Sequence, residues 1–184
     1  GPTAADRNVI SGFVGRGIVS LPTATGLVVQ GNYVGTNKDG TSAIRNPAGN
    51  ANLSTPNVVG PSMAISSGAT GAQILGNVIS GNPGYGMTVT AGTATIKGNL
   101  IGTDAAGTAG LGNFVYGITT LRGTSTTIGG TGAGDGNVIA DVRSVPSVSS
   151  LANPRLVSVY GATAIIQGNQ HRIGNPRAER SPAQ

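Results

Sequence analysis

The side chains that could carry out acid–base chemistry are few and scattered in this sequence. The 184 residues include six acids, namely Asp6, Asp39, Asp104, Asp135, Asp141 and Glu179. Hydrolysis of a glycosidic bond needs two neighbouring carboxyl groups, and elimination needs a base with cations beside it. No two of the six acids are adjacent in the sequence, and no Asp-Pro-His phrase occurs. We therefore expect no catalytic residue.

Three short motifs allow a functional interpretation beside a structural one. The phrase "TNKDGT" (36–41) is rich in oxygen ligands, but it has too few carboxylates for a calcium loop. The phrase "GGTGAGDGN" (129–137) has the glycines of a phosphate-binding loop without its Lys-Ser/Thr end or a following helix. Asp104 aligns with Asn37 in a turn where a short polar side chain can cap its own backbone. We interpret all three as turns and expect neither a metal nor a cofactor.

His171, Tyr85, Tyr116 and Arg16 are the remaining candidates for a binding or catalytic role. His171 is the only histidine, and it lies outside any recognisable frame of serine, cysteine or acid, so we expect a surface position or an end position. The other three residues occupy equivalent positions in three similar segments. Two tyrosine rings on one face could stack on sugars, but partial burial beside a turn explains them equally well.

The composition indicates a folded chain that is long enough for one domain. Hydrophobic residues make up 38% and aromatic residues only 3%, so the core must consist of Val, Ile, Leu and Ala. The 32 glycines are interleaved with these residues, and charged residues are only 9%, which argues against disorder. No cysteine is present, which excludes disulfides and thiolate metal sites. No apolar run approaches the roughly 20 residues of a membrane span.

The net charge of +5 is concentrated towards the end of the chain. Four arginines, Arg155, Arg172, Arg177 and Arg180, lie in the last thirty residues, with Glu179 as the only acid. Such a segment can hold polyanions, but a solvated basic tail over 175–184 is the simpler interpretation. We expect no nucleic-acid partner. The first residues lack the basic and apolar regions of a signal peptide, so a secreted protein would be present as a mature form or an excised segment.

Internal repeats dominate the sequence and contain a recurring Gly-Asn step. The alignment on this step includes "VVQGNYVGT" (28–36), "ILGNVISGN" (74–82), "TIKGNLIGT" (95–103) and "IIQGNQHRIG" (165–174). Ile96 then matches Val29, Ile74 and Ile166, whereas the residue that follows it varies. The phrase "NVISG" at 8–12 and 77–81 returns as "NVIAD" at 137–141. Three Gly-led segments also place Ile18, Met87 and Ile118 at equivalent positions.

The spacing of the repeats predicts a coil of about 22 residues. Asn77 and Asn99 are 22 residues apart, and Asn32 precedes Asn77 by 45, close to twice that number. The segments between turns are too short for helices and rich in β-branched residues. Short strands are stable when each copy lies about 4.8 Å from the previous one. The sequence therefore predicts an all-β parallel β-helix, or β-solenoid, with three short strands in each coil.

Within each coil, the Gly-Asn step predicts a corner followed by an inward asparagine. Glycine and asparagine are the residues that adopt left-handed backbone angles most readily. Alternation in the strand directs Ile96 inward and Lys97 outward, and Asn99 and Ile101 inward after the bend at Gly98. Stacked asparagines can then hydrogen bond to one another and to the turn backbone. The predicted structural ladder consists of Asn32, Asn77, Asn99 and Asn169.

These phrases resemble the right-handed parallel β-helix repeat proteins of the pectin-lyase-like superfamily, in particular bacterial extracellular members with "GNxIGTDxxGT" and "NVISGN" repeats. The matching phrases cover about residues 8–140. Residues 141–156 depart from the pattern and are expected to form an inserted loop. In the last match, His171 takes the position of Ile101. We expect one β-helix domain over 1–184, either whole or as a segment of a longer solenoid.

The resemblance implies an extracellular or cell-surface structural or adhesive protein. The superfamily also includes polysaccharide lyases, polygalacturonases and epimerases, so a carbohydrate-binding module or a lyase-like enzyme fragment is the alternative, and a phage or filament shaft is a third. The chain opens midway through a repeat phrase, and "IGNPRAER" (173–180) joined to "PTAADR" (2–7) resembles its missing half. The expected partners are therefore another copy end to end or neighbouring coils of a longer chain, with polysaccharide as a further partner.

Overall fold

The computed structural model describes residues 1–12, 16–21, 23–44, 63–65, 69–90, 92–143 and 155–172, and these are almost entirely β-structure and turns. A single 3-10 turn covers Ala4–Asp6. The strands are β1 (Val9–Ile10), β2 (Ile18–Ser20), β3 (Val28–Gln30), β4 (Tyr33–Val34), β5 (Met63–Ile65), β6 (Ala72–Leu75), β7 (Val78–Ile79), β8 (Met87–Val89), β9 (Gly92–Lys97), β10 (Leu100–Ile101), β11 (Asn113–Phe114), β12 (Tyr116–Thr120), β13 (Thr124–Gly129), β14 (Val138–Ala140), β15 (Val142–Arg143), β16 (Arg155–Val159), β17 (Thr163–Gln167) and β18 (Gln170–Arg172).

The strands form three parallel sheets in which each strand pairs with the strand one coil away. The first sheet has the order β1-β4-β7-β10-β14-β18, the second β16-β12-β8-β5-β2 and the third β17-β13-β9-β6-β3. A small fourth sheet joins β11 to β15. Strands of two to six residues cannot be stable alone, but stacking in register supplies their hydrogen bonds. The predicted all-β parallel solenoid is confirmed.

Coil length varies because the connections between strands differ in length. Successive asparagines that bond across coils are separated by 24, 45, 22, 38 and 32 residues. The predicted 22-residue coil is therefore the shortest form. The 45 residues from Asn32 to Asn77 are one coil and not two, since these side chains bond directly and Tyr33 pairs with Val78. Sequence spacing alone cannot distinguish a long connection from an additional coil.

The core consists of apolar residues that occupy the same strand position in successive coils. In the third sheet, Ile96 lies between Ile74 and Ile128, and all three are fully buried. The predicted match of Ile96 with Val29 and Ile166 is confirmed, with Ile128 as an additional member of the column. The column of the first sheet consists of Ile10, Val34, Ile79, Ile101, Ile139 and His171. Burying one such side chain stabilises the fold by about 1.5–3 kcal/mol.

The corner before Asn32, Asn77, Asn99 and Asn169 has backbone angles that favour glycine. Gly31, Gly76, Gly98 and Gly168 have φ values of 69°, 59°, 63° and 66°. These values lie in the left-handed region, where a side chain causes strain. At Gly98 an added Cβ would also lie 2.9 Å from the Gly134 carbonyl oxygen. The repeated Gly-Asn step is thus a geometric requirement of the corner.

The segment 141–156, expected to form an inserted loop, includes residues that belong to strands. Residues 142–143 form β15, and residues 155–156 begin β16. Between these strands, 144–154 lie outside the described residues, as does the expected basic tail over 175–184. Within the described ranges, no helix has the length and apolar character needed to cross a membrane.

Candidate functional site

A ladder of asparagines lies inside the corner between the third and the first sheet. At every described step its side chains are hydrogen bonded to the neighbouring coil. Asn99 Oδ1 accepts hydrogen bonds from the backbone amide of Asn77 (2.9 Å) and from its Nδ2 (3.0 Å). Asn99 Nδ2 in turn donates to Asn137 Oδ1 (2.8 Å) and to the carbonyls of Ile74 (2.8 Å) and Lys97 (3.0 Å). Buried polar groups are costly unless they are paired, so the ladder holds the coils in one register.

The ladder has two members that the sequence analysis missed. Asn8 and Asn137 join the four predicted residues, so that the complete described ladder is Asn8, Asn32, Asn77, Asn99, Asn137 and Asn169. Arg7 precedes Asn8, and Asp135-Gly136 precedes Asn137, which obscures the apolar-x-Gly-Asn pattern. The recurring "NVI" phrase at 8–10, 77–79 and 137–139 was the signal that could have identified both.

A second, shorter ladder lies one strand further along the coil. Asn82 donates from its backbone amide (3.2 Å) and its Nδ2 (3.0 Å) to Asn113 Oδ1. Asn113 Nδ2 donates to the Ile79 carbonyl (2.8 Å). Both side chains are buried. The Gly-Asn steps at 81–82 and 112–113 carry the same signal as those of the first ladder.

Asp104 and Asn37 hold two equivalent turns, as their alignment predicted. Asp104 Oδ1 accepts hydrogen bonds from the amides of Thr108 (2.7 Å) and Ala109 (3.1 Å). Asn37 Oδ1 accepts from the amides of Thr41 (2.9 Å) and Ser42 (3.2 Å). Desolvation raises the pKa of Asp104, but the hydrogen bonds from Ala109 and Thr108 outweigh it, so that the pKa is lowered overall. The turn interpretation of both residues is confirmed.

The two turns also stack on each other. The amide of Ala105 donates to the Gly40 carbonyl (2.9 Å), which joins 103–110 to 36–43 across the intervening coil. The oxygen-rich phrase at 36–41 is therefore part of a backbone turn in which Asn37 Oδ1 is already engaged. In the described ranges, no group of three or more His, Cys, Asp or Glu side chains is placed to hold a metal.

The Gly-rich segment at 129–137 is a turn fixed by an ion pair. Lys97 Nζ donates to Asp135 Oδ2 (2.9 Å), and the Gly132 amide donates to the same oxygen (3.3 Å). The hydrogen bond from Lys97, followed by its positive charge, lowers the pKa of Asp135. The Asp135 side chain therefore holds its own turn and ties it to Lys97 at the end of β9.

His171 lies at the last described position of an otherwise apolar column. It pairs in register with Ile139, which pairs with Ile101, so the predicted alignment of His171 with Ile101 is confirmed. The imidazole is exposed. Around it, a shallow and mainly apolar cavity is lined by residues that include Leu156, Val157 and Ile166. This end of the described stack thus exposes core positions.

A cluster of three tyrosines lies on the outer side of the second sheet. Tyr85 and Tyr116 have ring centroids 5.0 Å apart, and those of Tyr116 and Tyr160 are 6.5 Å apart. The hydroxyls of Tyr116 and Tyr160 are 3.1 Å apart and share a hydrogen bond. Arg155 pairs in register with Tyr116, and Tyr160 is 44% exposed. The repeat alignment identifies Tyr85 and Tyr116, whereas Arg155 and Tyr160 lie at or beyond the segment 141–156, which departs from the repeat pattern, and were not predicted.

The cluster changes the acidity of its hydroxyls. The hydrogen bond with Tyr160, together with desolvation, raises the pKa of Tyr116 to about 12. Hydrogen bonds with Ser158 and Tyr116 lower the pKa of Tyr160. By register, Arg16 lies in the same column two coils before Tyr85, at the other end of the sheet. The predicted alignment therefore joins two of its three residues into one cluster and leaves Arg16 apart.

Comparisons with known proteins do not extend the assignment beyond the fold. The chain has no match among protein-family models, curated proteins or solved structures.

Proposed function

We propose that the chain is a structural or adhesive β-solenoid of the cell exterior, and that it lengthens by end-to-end association into filaments or by neighbouring coils of a longer chain. The observation that carries this proposal is the asparagine ladder, which links all the described coils through satisfied internal hydrogen bonds. Each coil buries its apolar residues against the coils beside it, so further coils extend the stack without changing its plan.

The extracellular location rests on the resemblance of the repeats to bacterial extracellular members of the pectin-lyase-like superfamily. The parallel solenoid supports that resemblance at the level of fold. Labelling of intact cells with a membrane-impermeant amine reagent tests the location, because exposed lysines such as Lys38 would react. If the lysines reacted only after the cells had been opened, the extracellular location would be contradicted.

A non-catalytic role is part of the proposal. Asp104, Asp135 and Asp6 are each engaged with the backbone or side chains of their own turns, or with Lys97. The test is incubation with pectin, alginate and related polyuronides, followed by measurement of unsaturated products and reducing ends. We expect no product above the level of a heat-treated sample. Activity that Asp104→Ala or His171→Ala abolishes would favour the lyase-like alternative.

The structural role predicts a specific mechanical behaviour. A single chain pulled at its two ends should unfold in several steps, because coils leave the stack one after another. Asn99→Leu should lower the force of the central steps, whereas Lys97→Leu on the outer face should leave it nearly unchanged. Featureless extension at the low forces of an unfolded chain would contradict the structural role.

A carbohydrate-binding module is the second candidate, and the tyrosine cluster favours it. The faces of aromatic rings are electron-rich and attract the C–H groups of a pyranose ring, while Arg155 beside them offers hydrogen-bond donors. Binding of neutral and acidic polysaccharides can be measured by affinity electrophoresis. Tyr160→Ala should then weaken binding, and Tyr160→Phe should largely preserve it because the ring remains. Equal migration of the three proteins in every polysaccharide would exclude this site.

A further inference from the structure

The asparagine ladder has a direction. From Asn8 to Asn137, each backbone amide and each Nδ2 donates to the Oδ1 of the asparagine one coil later in the chain. The direction is the same at all five steps. One end of the described ladder therefore presents donors, and the other end presents an acceptor.

Asn169 is the donor end. Its Oδ1 accepts from the amide (3.0 Å) and Nδ2 (2.8 Å) of Asn137, as in every other step. Its Nδ2 donates to the carbonyls of Ile128 (2.8 Å) and Gln167 (3.1 Å). The equivalent Nδ2 of Asn99 lies within hydrogen-bond distance of the same two carbonyls and of the next Oδ1, so its two hydrogens are shared among three acceptors. Within the described part of the chain, Asn169 lacks that third acceptor, and its backbone N–H has no acceptor.

Asn8 is the acceptor end. Its amide and Nδ2 donate to Asn32 Oδ1 (3.1 and 2.8 Å), but its own Oδ1 receives no hydrogen bond from the described residues. Among the described strands, the adjacent β1 is the edge strand of the first sheet, with β4 as its one neighbour. The carbonyls of Asn8 and Ile10 accept from the amides of Tyr33 and Gly35, so Val9 between them directs its N–H and C=O to the open side. Val9 is also 45% exposed.

We propose that β18 of one copy docks beside β1 of a second copy, so that the donor end of one ladder meets the acceptor end of the next. The Asn169 N–H and Nδ2 then donate to Asn8 Oδ1 of the second copy, and His171 takes the position next to Ile10 in the inward column. This inference rests on the proposed structural role and names its partner and its surface. Because the two contact surfaces differ, the association is heterologous and propagates as a filament.

Asn8→Ala is the most direct test, because it removes the acceptor at the exposed end of the ladder. Sedimentation velocity over a wide concentration range should show association of the unchanged chain. Asn8→Ala should weaken that association about tenfold or more, which corresponds to the loss of one hydrogen-bonded acceptor. Gln73→Ala, which removes an exposed amide from the outer face of the third sheet, is the matched control and should associate normally.

Val9→Pro provides a second variant that acts on the backbone and not on the side-chain amide. Proline removes the N–H that Val9 directs to the open edge, while the bonds between β1 and β4 described for Asn8 and Ile10 remain. We expect association to weaken with unchanged circular dichroism. Normal association of both Val9→Pro and Asn8→Ala would overturn the proposed surface.

Mixing experiments distinguish a head-to-tail contact from a symmetric one. Asn8→Ala keeps its donor end, so it should add to the Asn8 end of unchanged filaments and stop further growth there. A small fraction of the variant should therefore shorten the filaments seen by electron microscopy, whereas Gln73→Ala should not.

An unchanged chain that stays monomeric at all concentrations would overturn the docking. Unfolding in several mechanical steps would still support the structural role in that case.

Discussion

The centre of the solenoid and its last described coil share an isoleucine column and the asparagine ladder, but the surroundings of these residues differ. Ile96 is fully buried, whereas Ile166, two positions along the same column, is 50% exposed. Asn99 is likewise fully buried, and Asn169 is only partly so. The repeated sequence therefore specifies which side chains point inward. Neighbouring coils decide how much each of them contributes to stability.

The largest expected effect is that of a core truncation at the centre compared with the end. Ile96→Ala should lower the free energy of unfolding by about 3–4 kcal/mol, because a cavity forms between Ile74 and Ile128. Ile166→Ala should cost about 1 kcal/mol, because half of its side chain already contacts solvent. Urea denaturation followed by circular dichroism measures both changes. Equal losses would show that the end coil is as well packed as the centre.

A slightly smaller effect is expected from the ladder itself. Asn99→Leu should cost about 2–3 kcal/mol, since it leaves the backbone amide of Asn77 without an acceptor inside the coil. It also removes the Nδ2 donor from the Ile74 carbonyl and from Asn137 Oδ1, which keeps only the backbone amide of residue 99. Asn169→Leu should cost less, because solvent reaches the groups that lose their partner.

Lys97→Leu is the control for the ladder substitution. It changes an outward residue of the same strand and removes an ion pair that is worth about 0–1 kcal/mol. If Lys97→Leu destabilised the chain as much as Asn99→Leu, the assignment of inward and outward positions would be wrong.

The two stacked turns offer a comparison that depends on pH. The hydrogen bonds that lower the pKa of Asp104 stabilise the folded chain above the carboxyl's unfolded pKa of about 3.9, and this contribution is lost as the pH falls through the lowered value. Asn37 makes the same turn without a titrating group. As the pH falls from about 4 to about 2, the free energy of unfolding should therefore decrease less for Asp104→Asn than for the unchanged chain. Parallel stability curves in this range would contradict the assignment.

The smallest effect on stability is expected at the tyrosine cluster. Tyr160→Phe removes the hydroxyl that raises the pKa of Tyr116 to about 12, so Tyr116 should ionise nearer to the ordinary value of about 10. Ultraviolet absorbance during an alkaline titration measures this change. Tyr33→Phe should leave the Tyr116 transition in place, because Tyr33 lies in the first sheet against Arg7. An unchanged Tyr116 transition in Tyr160→Phe would show that the two hydroxyls are not bonded.

The sequence predicts the columns and most of the ladder because repetition makes their positions visible without long-range information. Ile96, Asn99 and Lys97 follow directly from alternation around the Gly98 corner. Positions after insertions were harder to place. Tyr160 and Arg155 follow the connection after β15, so no spacing rule relates them to Tyr116.

Coil count was also beyond the sequence. The 45 residues between Asn32 and Asn77 are close to two short coils in length, and the pairing of β4 with β7 and the Asn32–Asn77 hydrogen bond show that they form one. The direction of the ladder was not predictable either. It depends on which asparagine donates and which accepts at each step, and identical asparagines in every repeat do not distinguish the two.

Hydrogen exchange measured by mass spectrometry tests most directly whether neighbouring coils supply the stability. We predict the slowest exchange in peptides over 94–101 and 126–129, whose strands have a paired strand on both sides. Peptides over 163–172 should exchange much faster, because β17 and β18 are the last described strands of their sheets. Protection of the last coil equal to that of the centre, or rapid exchange over 94–101, would contradict the account.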